Sequence, residues 1–214
     1  MIVLRIPSVQ HEIYLRRNTK DVNVFHQIFI KKDLVFLQKE KVSICVDCGA
    51  NIGLSTVYIK SFFPKARIYS IEPETGNIEM LKINTQHYHG IQIIEKALSI
   101  DDSGVYLVDT GMGEDSFRTS GSMTQGASIR IESISIPGLM KEFELDKIDL
   151  VKMDIEGAED ACINSGALVW LKAVKIFAVE IHEHLVPGCS EKIKKLLEKT
   201  FSFSSQGEYS VFKN

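Results

Sequence analysis

Three groups of side chains in this 214-residue chain have types and spacing that could do chemistry. The first is Asp47-Cys48-Gly49-Ala50-Asn51-Ile52-Gly53-Leu54-Ser55. The apolar run Val42 to Val46 before it reads as a buried strand, and the helically spaced run Ile52 to Phe63 after it reads as a helix. A glycine turn at a helix start offers free N–H groups and partial positive charge to a ligand. Gly49 permits angles that a side chain forbids, and Gly53 lets a ligand or the strand approach the helix. Asp47, at the strand end, can accept from a cationic or hydroxyl-bearing ligand. The pattern is D-x-G-x-N-x-G, not the G-x-G-x-x-G of dinucleotide binders.

The second group is Glu72-Pro73, at the tip of the strand Arg67 to Ile71. An acid there can accept from both hydroxyls of a nucleoside ribose. Ala97-Leu98 follows the next strand, 91–95, where a small residue leaves room for a base. The third group ends the two later strands: Asp154-Ile155-Glu156-Gly157 after Ile148 to Met153, a strand that carries Lys152, and Glu180-Ile181-His182 at the end of Ala173 to Ile181. His182 has the unperturbed pKa best suited to a general base near neutral pH. Lys152 can pair with Asp154 or Glu156. Asp154, Glu156, Glu180 and His182 also form a donor set for a magnesium-like or manganese-like ion; the favoured reading places no metal there.

These side chains must be positioned by strands that share one crevice. Ligands of open α/β sheets lie outside the carboxyl ends of the strands, and Asp47, Glu72, Ala97, Asp154 and His182 all fall at such ends. The periodicity predicts strands at 42–46, 67–71, 91–95, 148–153 and 173–181, helices at 53–62, 75–86, 158–164 and 187–199, and a closing hairpin of 201–204 with 209–212. The expected fold is a doubly wound, Rossmann-like α/β sheet of seven strands ending in an antiparallel hairpin. Residues 1–40 form a strand and helix ahead of it, the helix carrying Val22, Phe25, Ile28 and Phe29, and 41–214 form the main domain. That first segment could cover the crevice mouth or pack on a sheet edge. Between strands at 105–108 and 128–136, residues 109–125 are rich in Gly, Ser and Thr and read as a loop, suited to a lid.

The ordered set Asp47-Cys48-Gly49-Ala50-Asn51-Ile52-Gly53, Glu72-Pro73 followed by Asn77, Leu81 and Asn84, Ala97-Leu98-Ser99, and Lys152-Met153-Asp154-Ile155-Glu156-Gly157-Ala158-Glu159 resembles the FkbM family of S-adenosylmethionine-dependent methyltransferases. The resemblance runs from about Tyr14 to Ile181. It implies a class I methyltransferase fold and S-adenosyl-L-methionine as cofactor. The site it implies is bordered by Asp47, Gly49, Ala50, Asn51, Gly53, Ser55, Glu72, Pro73, Asn77, Ala97, Leu98 and Asp154. It also implies O-methylation of a small-molecule hydroxyl, on a sugar or natural product, with His182, Asp154 and Lys152 as catalytic candidates. The chain departs from the family pattern at Ser135-Ile136-Pro137-Gly138, where a Leu-Asp-Asp-like step is usual. A nicotinamide-dependent oxidoreductase and a non-catalytic scaffold on the same fold are the alternatives.

Composition bounds the partners. An apolar fraction of 44% allows a substantial core, and a net charge of −3 with interspersed signs gives no footprint for nucleic acid or an anionic membrane. The short apolar start, Met1 to Pro7, and the lack of a long apolar run predict neither signal peptide nor spanning helix, hence a cytoplasmic protein. Cys45, Cys48, Cys162 and Cys189 do not make a disulfide framework.

Overall fold

The computed structural model describes residues 1–109, 117–120, 128–163 and 165–214, with side chains omitted over 107–128 and at 165. The chain opens with β1 (Ile2–Leu4), β2 (Ile13–Leu15) and α1 (Asp21–Phe25), which runs into a π-helical turn, His26–Lys31. The alternating core follows: β3 (Ile44–Cys48), α2 (Leu54–Phe62), β4 (Arg67–Ile71), α3 (Thr75–Thr85) and β5 (Ile91–Ile94). Then come β6 (Ala97–Leu98), β7 (Val105–Asp109), β8 (Phe117–Ser120), β9 (Ser128–Ile131), β10 (Ser133–Ile134) and α4 (Ile136–Glu142). The chain closes with β11 (Ile148–Met153), α5 (Glu159–Cys162), α6 (Leu168–Leu171), β12 (Val174–Glu180), α7 (Cys189–Leu197), β13 (Ser202–Gln206) and β14 (Tyr209–Lys213).

The main sheet has seven strands in the order β13-β14-β12-β11-β3-β4-β5. Its parallel strands reverse order between β3 and β11, and the terminal hairpin joins antiparallel through β14 on β12. This is the expected doubly wound sheet. The 109–125 stretch is not wholly a loop, since β8 pairs antiparallel with β7. The remainder, 110–116 and 121–127, lies outside the described residues, and the lid reading with it. The Ser135-Ile136-Pro137-Gly138 departure starts a helix that periodicity did not reveal. Ser135 Oγ accepts from the Gly138 N–H at 3.0 Å, and Pro137 sits in the first turn of α4, where its missing N–H costs nothing.

Successive side chains along a strand point to opposite faces, so each central strand feeds two cores. Val46, Val151 and Phe177 join one with Leu139, Trp170 and Ile193. Cys45, Leu150 and Ile176 join the other with Leu54, Ile59 and Met80. The second core also contains Ile13, Leu15, Ile28, Phe29, Leu34 and Leu37. The first forty residues therefore pack into the same apolar layer as α2. Polar ties reinforce this. The Asn84 side chain pairs with both backbone groups of Tyr14, at 2.8 and 3.1 Å, and donates to the Ile52 carbonyl at 2.8 Å.

The turn after β3 depends on close backbone approach. Gly49 has φ +73°, and a Cβ there would lie 1.8 Å from the Asp154 carbonyl oxygen. Gly188 also has positive φ (+84°), but a Cβ there would meet nothing within 4 Å. Gly188→Ala should cost about 1–2 kcal/mol, the left-handed penalty alone. Gly49→Ala should cost about 1–3 kcal/mol more, because it adds overpacking against backbone. Urea denaturation of both variants checks this; equal losses would show that the close approach is not limiting.

Candidate functional site

The carboxyl ends of β3, β4, β11 and β12, with β6 beside them, surround one cleft of about 1030 Å³, its open mouth included. The Gly49–Asn51 turn forms its floor. The N–H groups of Gly49 and Ala50 both donate to the Ile71 carbonyl, at 3.0 and 2.9 Å. Asn51 holds φ +50°, a conformation its side chain tolerates better than most, and its Oδ1 accepts from the Ile52 N–H at 2.7 Å. Ser55, Pro73, Asn77, Ala97 and Leu98 line the same cleft.

Glu72 stands at the predicted tip of β4 and borders the cleft. Its Oε2 accepts from the Asn51 N–H at 2.9 Å; its Oε1 accepts from the Glu74 N–H at 3.1 Å and Asn77 Nδ2 at 3.2 Å. An ionised carboxylate has about four acceptor directions, so about one remains for a ligand hydroxyl. Burial pushes its pKa up, against these three donors.

Two of the expected contacts sit elsewhere. The first strand runs two residues past its expected end, so Asp47 lies inside β3, 0% exposed and absent from the cleft lining. Its Oδ2 accepts from Ser55 Oγ and Thr56 Oγ1, both at 2.7 Å, and its Oδ1 faces Lys152 Nζ at 3.3 Å. Gly53 also misses the lining. Its φ of +88° starts α2, and a Cβ there would lie 2.7 Å from Leu81 Cδ1. Its smallness serves the packing of α2 against α3.

Lys152 has its side chain 3% exposed, donates to the Gly49 carbonyl at 2.9 Å, and stands 3.6 Å from Asp154 Oδ2. The expected pairing with Asp154 is present, but Asp47 is closer. Burial pushes the Lys152 pKa down, and Tyr209, Asp47, Asp154 and Glu180 outweigh it, so the ammonium is held charged. Sequence reasoning missed this pair because Asp47 and Lys152 become neighbours only when β11 lies beside β3 in the observed register. It also missed Tyr209, opposite Glu180 in the β12–β14 register, and Val24, Gln27 and Ile28, which border the cleft from the N-terminal segment.

Asp154, Glu156 and Glu180 line the far side of the cleft, and His182 sits behind them, 8% exposed. Burial pushes His182 down, but Glu159, then Asp154 and Glu156, carry it up to about 9. Burial, then Asp154 and Glu208, push Glu180 up to about 9 against the pull of His182. The upward direction for His182 opposes a general-base role in the protein alone, since a base must be neutral.

A family model described as the methyltransferase FkbM domain matches residues 47–203. The chain belongs to the FkbM methyltransferase family. Its cofactor is accordingly S-adenosyl-L-methionine, and the family sets aside the nicotinamide alternative. It is 27% identical over 170 residues to the hexuronic acid methyltransferase AglP of Haloferax volcanii, covering 78% of this chain and 66% of the relative. It is 25% identical over 175 residues to methyltransferase 1 of Beauveria bassiana, covering 66% of this chain and 70% of the relative. The chain thus spans about two thirds of the length of these relatives. An rRNA methylase of Streptococcus thermophilus shares the fold at TM-score 0.52 and 10% identity, with 88% of this chain and 96% of that one covered. Among the described residues no helix is long and apolar enough to cross a membrane.

The Asp47–Lys152 pair gives a stability test. Lys152→Met leaves a buried carboxylate without its cation and should cost about 3–5 kcal/mol in chemical denaturation. The double variant Asp47→Asn with Lys152→Met should recover most of that loss. A single variant as stable as wild type would show that the ion pair does not matter to folding.

Proposed function

We propose that the protein transfers a methyl group to a hydroxyl oxygen of a small molecule, with a sugar or a natural-product alcohol as acceptor. The observation that carries this reading is the division of one cleft into two chemically different halves. One half, around Gly49–Asn51, Glu72, Pro73, Asn77, Ala97 and Leu98, has the glycine turn, ribose acceptor and small floor suited to a nucleoside. The other half, around Asp154, Glu156, Glu180 and Tyr209, has carboxylates and a phenol suited to a polyhydroxyl compound. The name of the Haloferax relative supports a sugar acceptor.

The donor set fits the cofactor. Glu72 keeps about one acceptor direction for a ribose hydroxyl, and Gly49 and Ala50 present a turn without side-chain bulk. When bound, S-adenosylmethionine supplies an electrophilic methyl group on a sulfonium. The chain must then hold an acceptor oxygen in line and relieve it of its proton. Asp154 is 26% exposed by side chain and lines the cleft, so its carboxylate can accept from an acceptor hydroxyl directly. Lys152 donates to the Gly49 carbonyl and stands 3.6 Å from Asp154, so it bridges the two halves. His182 is not among the residues that line the cleft, and its Nε2 stands 3.7 Å from Asp154 and 3.6 Å from Glu156.

Calorimetry with S-adenosylhomocysteine tests the cofactor half. A lost charge-assisted hydrogen bond costs about 1.5–3 kcal/mol, so Glu72→Ala should bind about ten- to a hundredfold more weakly. Unchanged affinity would remove Glu72 from the site. A labelled-methyl screen over uronic acids, neutral sugars and polyols tests the acceptor half. Tight cofactor binding with no transfer to any hydroxyl compound would favour a scaffold over an enzyme.

A further inference from the structure

The side chains behind the acceptor half gather four carboxylates around one imidazole. His182 Nδ1 lies 2.9 Å from Glu159 Oε1, and Glu159, 1% exposed, also accepts from the Ile155 N–H at 3.1 Å. A carboxylate only accepts, so Nδ1 carries the hydrogen and Nε2 of the neutral ring carries a lone pair. Nε2 has no hydrogen-bond partner among the described residues. It points at Glu156 Oε2 (3.6 Å), Asp154 Oδ1 (3.7 Å) and Glu180 Oε1 (3.9 Å). These are acceptors too, and all stand beyond hydrogen-bond reach. The Lys152 ammonium beside Asp154 is committed to Asp47, the Gly49 carbonyl and the other oxygen of Asp154. Acceptors converging at such spacing favour positive charge between them, either a proton on Nε2 or a metal cation that displaces it. Ligands about 2.1 Å from one ion stand about 3–4 Å from each other, and one ligand atom each from Asp154, Glu180 and His182 lie within 4.8 Å of one another.

We propose that Asp154, Glu180 and His182 bind a divalent cation, with Glu156 at its edge and Glu159 as the positioning residue. One imidazole nitrogen with two carboxylates suits a manganese-class ion better than calcium, which takes oxygen throughout. The hydrogen bond from the ligating ring to a buried carboxylate fixes the tautomer and orientation that such a site requires. The ion reverses the sequence-based preference for a metal-free site, because only the fold aims His182 Nε2 and three carboxylates at one point. Asp154 and Glu180 line the cleft, so a bound ion would face the half left for the acceptor and could polarise a hydroxyl there. That use of the site, though not the binding itself, rests on the methyltransferase reading.

Manganese titrated into the full chain, with free ion followed by electron paramagnetic resonance, tests the site. One equivalent should bind, with nitrogen-14 modulation of the bound-ion echo. Glu180→Gln and His182→Ala should each weaken binding at least about tenfold, and Glu159→Gln about 10–100-fold. His182→Ala should also abolish the nitrogen modulation. S-adenosylhomocysteine affinity, measured on the same samples, should stay within about twofold and so report intact folding. No stoichiometric manganese binding by the wild type overturns the proposal, as does binding that Glu180→Gln and His182→Ala leave unchanged. Stoichiometric manganese binding sensitive to these substitutions in a wild type that ignores S-adenosylhomocysteine supports the cation site and overturns the cofactor reading instead.

Discussion

The site is held together by a buried ion pair. Asp47 and Lys152 lie side by side on adjacent parallel strands, both out of water. Removing two charges from water is expensive unless every remaining donor and acceptor is met. Here most of them are. Asp47 takes hydroxyls from Ser55 and Thr56, which belong to the first turn of α2, and Lys152 takes the Gly49 carbonyl. The pair thus ties two central strands, the turn between β3 and α2, and the helix start into one unit. Gly49 must be a glycine for the same reason, because the chain end of β11 presses on it from the other side.

That unit sits at a boundary within one face of the sheet. Farther down the strands the same face carries Cys45, Leu150, Ile176 and Val211, all buried apolar residues. At the carboxyl ends the face turns polar, through Asp47, Lys152, Glu180 and Tyr209. The apolar part supplies the hydrophobic stabilisation, and the polar part supplies the cleft. The N-terminal segment spans both, with Ile13, Leu15 and Phe29 in the core and Val24, Gln27 and Ile28 at the cleft wall. Gln27 Nε2 donates to Glu208 at 2.5 Å and stands 3.3 Å from Glu180 Oε2, so this segment also orients the acceptor side.

The two halves of the cleft differ in how their charge is met. Glu72 is surrounded by backbone and amide donors, and its role is to accept. Asp154, Glu156, Glu180 and Glu159 crowd a single imidazole. Crowding of this kind raises the proton affinity of both Glu180 and His182. It also makes the acceptor half attractive to cations, protons included.

Much of the frame was legible in the sequence because it is local. Strand, glycine turn and helix at 42–62, the acid after Ile71, the later strands and the final hairpin all follow from periodicity and turn residues within short windows. Membership of the family follows from those same ordered motifs. The sequence alone could not say that Asp47 is a buried partner of Lys152, since 105 positions separate them and only the strand order makes them neighbours. Nor could it separate Gly53 as a packing residue from Gly49 as a cleft residue, because both are glycines at positive φ and only the opposing atoms differ. His182 was legible as a titratable group at a strand end. That Glu159 clamps one ring nitrogen while three carboxylates face the other was decided by tertiary structure, because the fold of the β11–α5 and β12–α7 connections brings these side chains together, and electrostatic environment depends on distance in space rather than along the chain.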